Sequence, residues 1–300
     1  MTNSPMPPWA AEIPEGAFIS DAPTYKVGEY FSLFEQDAFD SGASVGKLKY
    51  WFFDPTEHGY PVKGDYPLII FLHGSGNALV GDVCINYTGA EFFATDAYQK
   101  KLGGAYLLVP VANEYRNEEG RTCGGWGPEY TEPVNCLIED FIGMHTHGVG
   151  KMILMGNSRG ASFTFEMGNA YTGRFAGLIP IGTSDIPTDE KLDEYDAKGV
   201  ELLFAVGKRD EFNPYAEAIA PRVDKLNSMK HCTVFIPEWV YNGDKGIASI
   251  NVGIEMGQHC LINPMHCNLM FDDGTPMYPE MPDGVLGWMK KVIEEEIPHV

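Results

Sequence analysis

Lys151-Met-Ile-Leu-Met155-Gly156-Asn157-Ser158-Arg159-Gly160-Ala161 is the stretch on which the reading of the fold turns. Its apolar half does not alternate with polar residues, the pattern of a strand buried on both faces of a parallel sheet. Its second half is Gly-x-Ser-x-Gly and runs into a helical pattern that continues to Tyr171. A strand that enters a helix through this sequence holds its serine on a strained turn, with glycines two residues either side leaving room for neighbouring backbone. The helix brings the positive end of its dipole beneath Ser158, and the Arg159 amide points toward an oxyanion forming at that serine.

Working outward, runs of the same texture occur at 66–72, 104–111, 175–181, 200–206 and 232–236. Between and after them lie candidate helices at 134–146, 160–171, 213–229 and 284–297. Strand and helix in alternation predict an α/β fold with a doubly wound, mostly parallel sheet and helices on both faces. Lys47 to Phe53 alternates instead, as a half-buried strand does, so antiparallel strands are expected to lead into the sheet. The span from Gly182 to Gly199 is too short for a large cap domain. With no repeat, low-complexity tract or long linker, residues 1–300 read as one domain in which 1–45 form an N-terminal extension and the first strands.

Ligands of such sheets bind beyond the carboxyl ends of the strands, which singles out the residues just after each apolar run. Asp210 comes after the run ending at Val206, with Glu211 beside it as a substitute acid. Asp210 could also serve only as a cap or as the partner of Arg209. Beyond the 232–236 run comes Gly257-Gln258-His259, with His266 as the second choice of base. A glycine before His259 suits a loop end, whereas the chain after His266 already leads toward the last helix. The resulting order is Ser, Asp, His, which distinguishes one serine-hydrolase architecture from two others.

On these residues, and on Phe71-Leu72-His73-Gly74-Ser75-Gly76-Asn77, the chain resembles the α/β-hydrolase superfamily serine esterases of the carboxylesterase and feruloyl-esterase kind, over roughly residues 47 to 297. The resemblance implies catalytic Ser158, Asp210 and His259, with the amides of Ser75 and Arg159 as the oxyanion hole. It departs from the family in ending the nucleophile motif Gly-Ala and in placing Arg at 159. The Arg159 side chain has two readings, an ion pair with a surface acid or a contact with an anionic substrate group. Trp126, in a Gly-rich loop, is taken as a substrate-binding wall, with an anchor onto the core as the other reading.

Lys and Arg number 21 against 42 Asp and Glu, a net charge of −21. Such a surface repels phosphate backbones and anionic headgroups, so neither nucleic acid nor membrane is an expected partner. Hydrophobic residues at 44% argue against disorder. No secretory signal pattern opens the chain, so a cytoplasmic location is expected unless the N-terminus has been processed. Six cysteines without a Cys-x-x-Cys pair read as mostly reduced, with one pairing, Cys123 to Cys136, left open. Gly74-Ser75-Gly76 is not a dinucleotide fingerprint, because Leu79 stands where its third glycine belongs. His259-Cys260 and His266-Cys267 lack the spacing of structural zinc ligands, and neither metal nor cofactor is expected. The function expected is hydrolysis of a small soluble, aryl or carbohydrate-linked ester through an acyl-enzyme. A peptidase, an acyltransferase and a non-catalytic binding module are the alternatives.

Overall fold

The computed structural model describes residues 7–20, 28–60, 64–75, 89–116, 122–145, 147–249 and 257–295. Its centre is an eight-stranded sheet: β1 (Glu35–Asp40), β2 (Lys47–Phe53), β3 (Tyr66–Leu72), β4 (Tyr106–Val111), β5 (Val149–Asn157), β6 (Gly177–Ile181), β7 (Glu201–Ala205) and β8 (Cys232–Phe235). The spatial order is β1-β2-β4-β3-β5-β6-β7-β8. Only β2 runs against its neighbours β1 and β4, and every other pairing is parallel.

Parallel strands need both faces covered, and β3 shows how the sequence does it. All seven of its residues are buried. Because side chains alternate, Ile69 and Phe71 enter one core while Leu68, Ile70 and Leu72 enter the other. The first core is closed by α1 (Ala90–Phe93), α2 (Asp96–Leu102), α7 (Ile262–His266) and α8 (Gly284–Glu294), the second by α3 (Thr131–Met144), α4 (Arg159–Ala170), α5 (Asp189–Ala197) and α6 (Ala220–Ser228). This is the doubly wound arrangement expected. Short strand pairings outside the main sheet join Ile19–Ser20 with Ile247–Ala248 and Glu114–Arg116 with Thr122–Gly124.

One expectation needs correction. The helix expected over 213–229 is a π turn at Tyr215–Ile219 followed by α6. Pro221 has no N–H to give an α-helical ladder, and the turn before it widens instead. The span from Gly182 to Gly199 carries α5, a helix with only Leu192 and Tyr195 buried, capped by the Thr188 side chain. Cys136 is a free thiol, and the side chain of Cys123, its one possible partner left open by the sequence, lies outside the described residues. Among the described residues no helix is long and apolar enough to cross a membrane.

Candidate active site

Ser158 sits between β5 and α4 at φ 55° and ψ −119°. A β-carbon makes that region costly, on the order of 1–3 kcal/mol, so the surrounding structure must impose it. It does so from two sides. The Ser158 N–H donates to the Ile181 carbonyl at the end of β6 (2.8 Å), while the Ser158 carbonyl accepts from Ala161 and Ser162 as α4 begins. The flanking glycines permit the approach. A β-carbon on Gly160 would lie 2.2 Å from the Leu72 carbonyl oxygen, and one on Gly156 would lie 2.2 Å from that of Gly160. No side chain fits either place, so α4 packs directly onto the ends of β3 and β5.

Asp210 lies just beyond β7 and is almost wholly buried. Its Oδ1 accepts from the amides of Phe212 (2.8 Å) and Asn213 (2.9 Å), and its Oδ2 from Asn213 Nδ2 (3.1 Å). His259 Nδ1 lies 2.9 and 3.0 Å from the two carboxylate oxygens. A carboxylate can only accept, so Nδ1 carries a proton toward Asp210, and in the neutral ring Nε2 is the nitrogen able to accept. The pair is tied to the serine through one backbone step. Ser158 binds Ile181, Asn213 Nδ2 binds the carbonyl of the next residue, Gly182 (3.0 Å), and a β-carbon on Gly182 would stand 3.3 Å from His259 Cε1. His266 lies elsewhere, buried in α7, its ring stacked on Phe92 and pressed against Gly89. Cys260, the neighbour of His259, is no rival nucleophile, because burial pushes its thiol up to about 12.

Ser75 comes after β3 and Arg159 opens α4, where an amide has no intrahelical acceptor. Gly125 brings them together: a β-carbon there would be 3.5 Å from Ser75 Oγ and 3.6 Å from Arg159 Cγ. Gly76, Asn77 and Leu79 lie outside the described residues. The Arg159 side chain donates through Nε to the Trp126 carbonyl and through Nη2 to Glu166 (2.8 Å), which is the ion-pair reading. Trp126 is corrected by the structure. Its ring is 3% exposed, stacks on Phe163 at 5.0 Å and donates its Nε1–H to the His73 carbonyl (2.9 Å). It anchors the loop onto the core and presents no wall to a substrate.

No protein-family model matches the sequence, and no curated protein matches it. Among solved structures, a thermostable esterase is similar with a TM-score of 0.51 and 20% sequence identity, over 70% of this chain and 56% of that one. The fold is the α/β-hydrolase fold. The match thus takes in little more than half of that esterase's length. More distant likenesses include Est1E from Butyrivibrio proteoclasticus, with a TM-score of 0.44, 14% identity, and 67% of this chain and 88% of that one covered. An acylaminoacyl peptidase from Pyrococcus horikoshii has a TM-score of 0.45 and 16% identity, over 71% of this chain and 37% of that one.

Within this α/β-hydrolase fold the structure gives work to His73, which the sequence marks only as part of the 71–77 stretch, and adds Phe212, which the sequence does not single out. His73 is buried below the Ser75 turn, accepting from the Ala112 amide at Nε2 (3.0 Å) and donating from Nδ1 to the Gly74 carbonyl (2.9 Å). Burial pushes its imidazole down to about 4, so it is a neutral brace joining the ends of β3 and β4. Phe212, two residues after Asp210, is 56% exposed with its ring edge-on to His259 at 4.9 Å. A large apolar side chain in the polar strand-end turn is the available signal for it.

Proposed function

We propose that this chain is a serine hydrolase that cleaves carboxylic esters through an acyl-enzyme. The observation that carries the reading is the buried Asp210–His259 pair, joined through Ile181–Gly182 to a serine held at φ 55°. His259 Nε2 takes the proton of Ser158 as its Oγ attacks the ester carbonyl, and returns it to the leaving alcohol. Asp210 holds the Nδ1–H tautomer and stabilises the imidazolium while the proton is in transit. The Ser75 and Arg159 amides receive the tetrahedral oxyanion, each such donor being worth about 3 kcal/mol of barrier. Water then enters the same cycle and hydrolyses the acyl group from Ser158.

A small soluble ester, aryl or carbohydrate-linked, or a polymer-tethered one is the proposed substrate. Only α5 stands between β6 and β7, and it packs on the second core. The exposed Phe212 ring offers an apolar face beside the imidazole. The test is hydrolysis of 4-nitrophenyl acetate by the wild type and by Ser158→Ala, His259→Ala and His266→Ala, each checked for folding. Turnover that disappears with Ser158 and with His259 but survives loss of the His266 imidazole is the expected result. Turnover by none of them supports the binding-module reading, and faster cleavage of a matched anilide than of the ester supports a peptidase.

A further inference from the structure

Sequence alone makes Glu211 a stand-in for Asp210, and the structure gives it different work. Its Oε2 accepts from the His259 amide (2.7 Å), and its Oε1 accepts from the Gln258 amide (3.2 Å) and from Trp9 Nε1 (2.7 Å). One carboxylate therefore grips the backbone of the histidine and of the residue before it. The Gln258 side chain is itself fully fastened, its Oε1 taking the Val240 amide (2.8 Å) and its Nε2 giving to the Val240 and Ala248 carbonyls. The His259 ring is held at one end by Asp210 and its main chain at the other by Glu211.

The third donor comes from far away in sequence, in the 3-10 turn Pro8–Glu12. Trp9 packs edge-on against Trp239 at 6.1 Å, and the Arg209 guanidinium lies 3.9 Å over that same Trp239 ring. Arg209 also reaches Glu12 (3.0 Å). Both sequence neighbours of Asp210 are thus bound to the N-terminal turn, Arg209 through Glu12 and Glu211 through Trp9. A carboxylate surrounded by three N–H donors has an acceptor for each, and an amide in its place does not.

We infer that Glu211 is a positioning residue for the proposed hydrolysis, holding the His259 main chain in register with Asp210 and Ser158, and that Trp9 of the N-terminal turn completes this hold. The inference rests on the serine-hydrolase reading. Burial holds the Glu211 carboxyl above the usual carboxylate range, and the Trp9 N–H together with the amides of Glu211, Gln258 and His259 offset only part of that rise. Glu211→Gln turns one acceptor into an N–H₂ that faces an N–H, so either His259 or the Trp9–Gln258 side loses its partner. A displacement of the imidazole near 1 Å costs on the order of 100-fold in turnover.

The test measures kcat and KM for 4-nitrophenyl acetate with the wild type, Ser158→Ala, Glu211→Gln and Trp9→Phe, together with melting and the downfield imidazole N–H proton signal. The expected result for Glu211→Gln is kcat at least about 10-fold lower with KM within about twofold, and a shifted or broadened imidazole proton, in a folded protein. Trp9→Phe is expected to lower kcat about threefold in the same manner, and it decides the matter if Glu211→Gln does not fold. A folded Glu211→Gln with wild-type kcat and an unmoved imidazole proton overturns the inference while leaving the hydrolase reading intact. A wild type that turns over no faster than Ser158→Ala overturns both.

Discussion

His73 makes stability depend on pH in a way that can be worked out from its surroundings. Its ring is buried, its Nε2 accepts the Ala112 N–H, and a second proton there would set a donor against a donor. The folded value near 4, against 6.5 for an ordinary histidine, corresponds to about 3 kcal/mol at roughly 1.4 kcal/mol per pH unit. The folded value is depressed, so this stability is complete above pH 6.5 and is lost as pH falls toward 4, because the unfolded chain takes up the proton first. His73→Gln keeps an acceptor for Ala112 and removes the titration. Urea unfolding of both proteins at half-unit steps from pH 7 to pH 4 isolates the group, since all other titrations are shared. The stability advantage of the wild type over His73→Gln should shrink by about 3 kcal/mol across that interval. Parallel curves would refute the reasoning, for they would mean that His73 takes up its proton as readily in the fold as in the unfolded chain.

Other expectations rest on single contacts. Ser158→Gly should be more stable than Ser158→Ala by about 1–2 kcal/mol, while neither turns over ester, since glycine relieves φ 55° and alanine does not; differential scanning calorimetry reads this. Gly160→Ala sets a methyl 2.2 Å from the Leu72 carbonyl oxygen and should destabilise by about 3 kcal/mol or prevent folding, seen as loss of the cooperative melt. Trp126→Ala should cost about 3–5 kcal/mol in stability by urea unfolding; a substrate wall would show instead as raised KM at unchanged stability. Asp210→Asn leaves the volume but disturbs the tautomer, and kcat should fall about 10⁴-fold in a folded protein.

The parts of the fold legible from sequence are those where burial alone dictates residue type. β3, β4 and β6 are covered on both faces and so are written in apolar residues, which is why their runs stand out. α5 is not legible, because its nine residues include five acids and one lysine and only two side chains reach the core. At the site, Ser158 and Asp210 follow strand ends and His259 stands in a loop beyond the last strand, their chemistry visible in their types, and the structure brings Asp210 and His259 into hydrogen bond. Trp126 escapes sequence reasoning because a Gly-rich loop says nothing about which way a ring turns. Glu211 resembles a spare acid because adjacency to Asp210 is all that sequence records. Its partners, Trp9 and the amides of 258 and 259, meet it only through the tertiary fold.

The central claim is that Ser158 is an activated nucleophile, and intact mass after exposure to a fluorophosphonate tests it most directly. One covalent adduct on the wild type, absent from a folded Ser158→Ala and slowed in His259→Ala, is the predicted result. A folded wild type that gains no mass, or one that is labelled equally in Ser158→Ala, would contradict it.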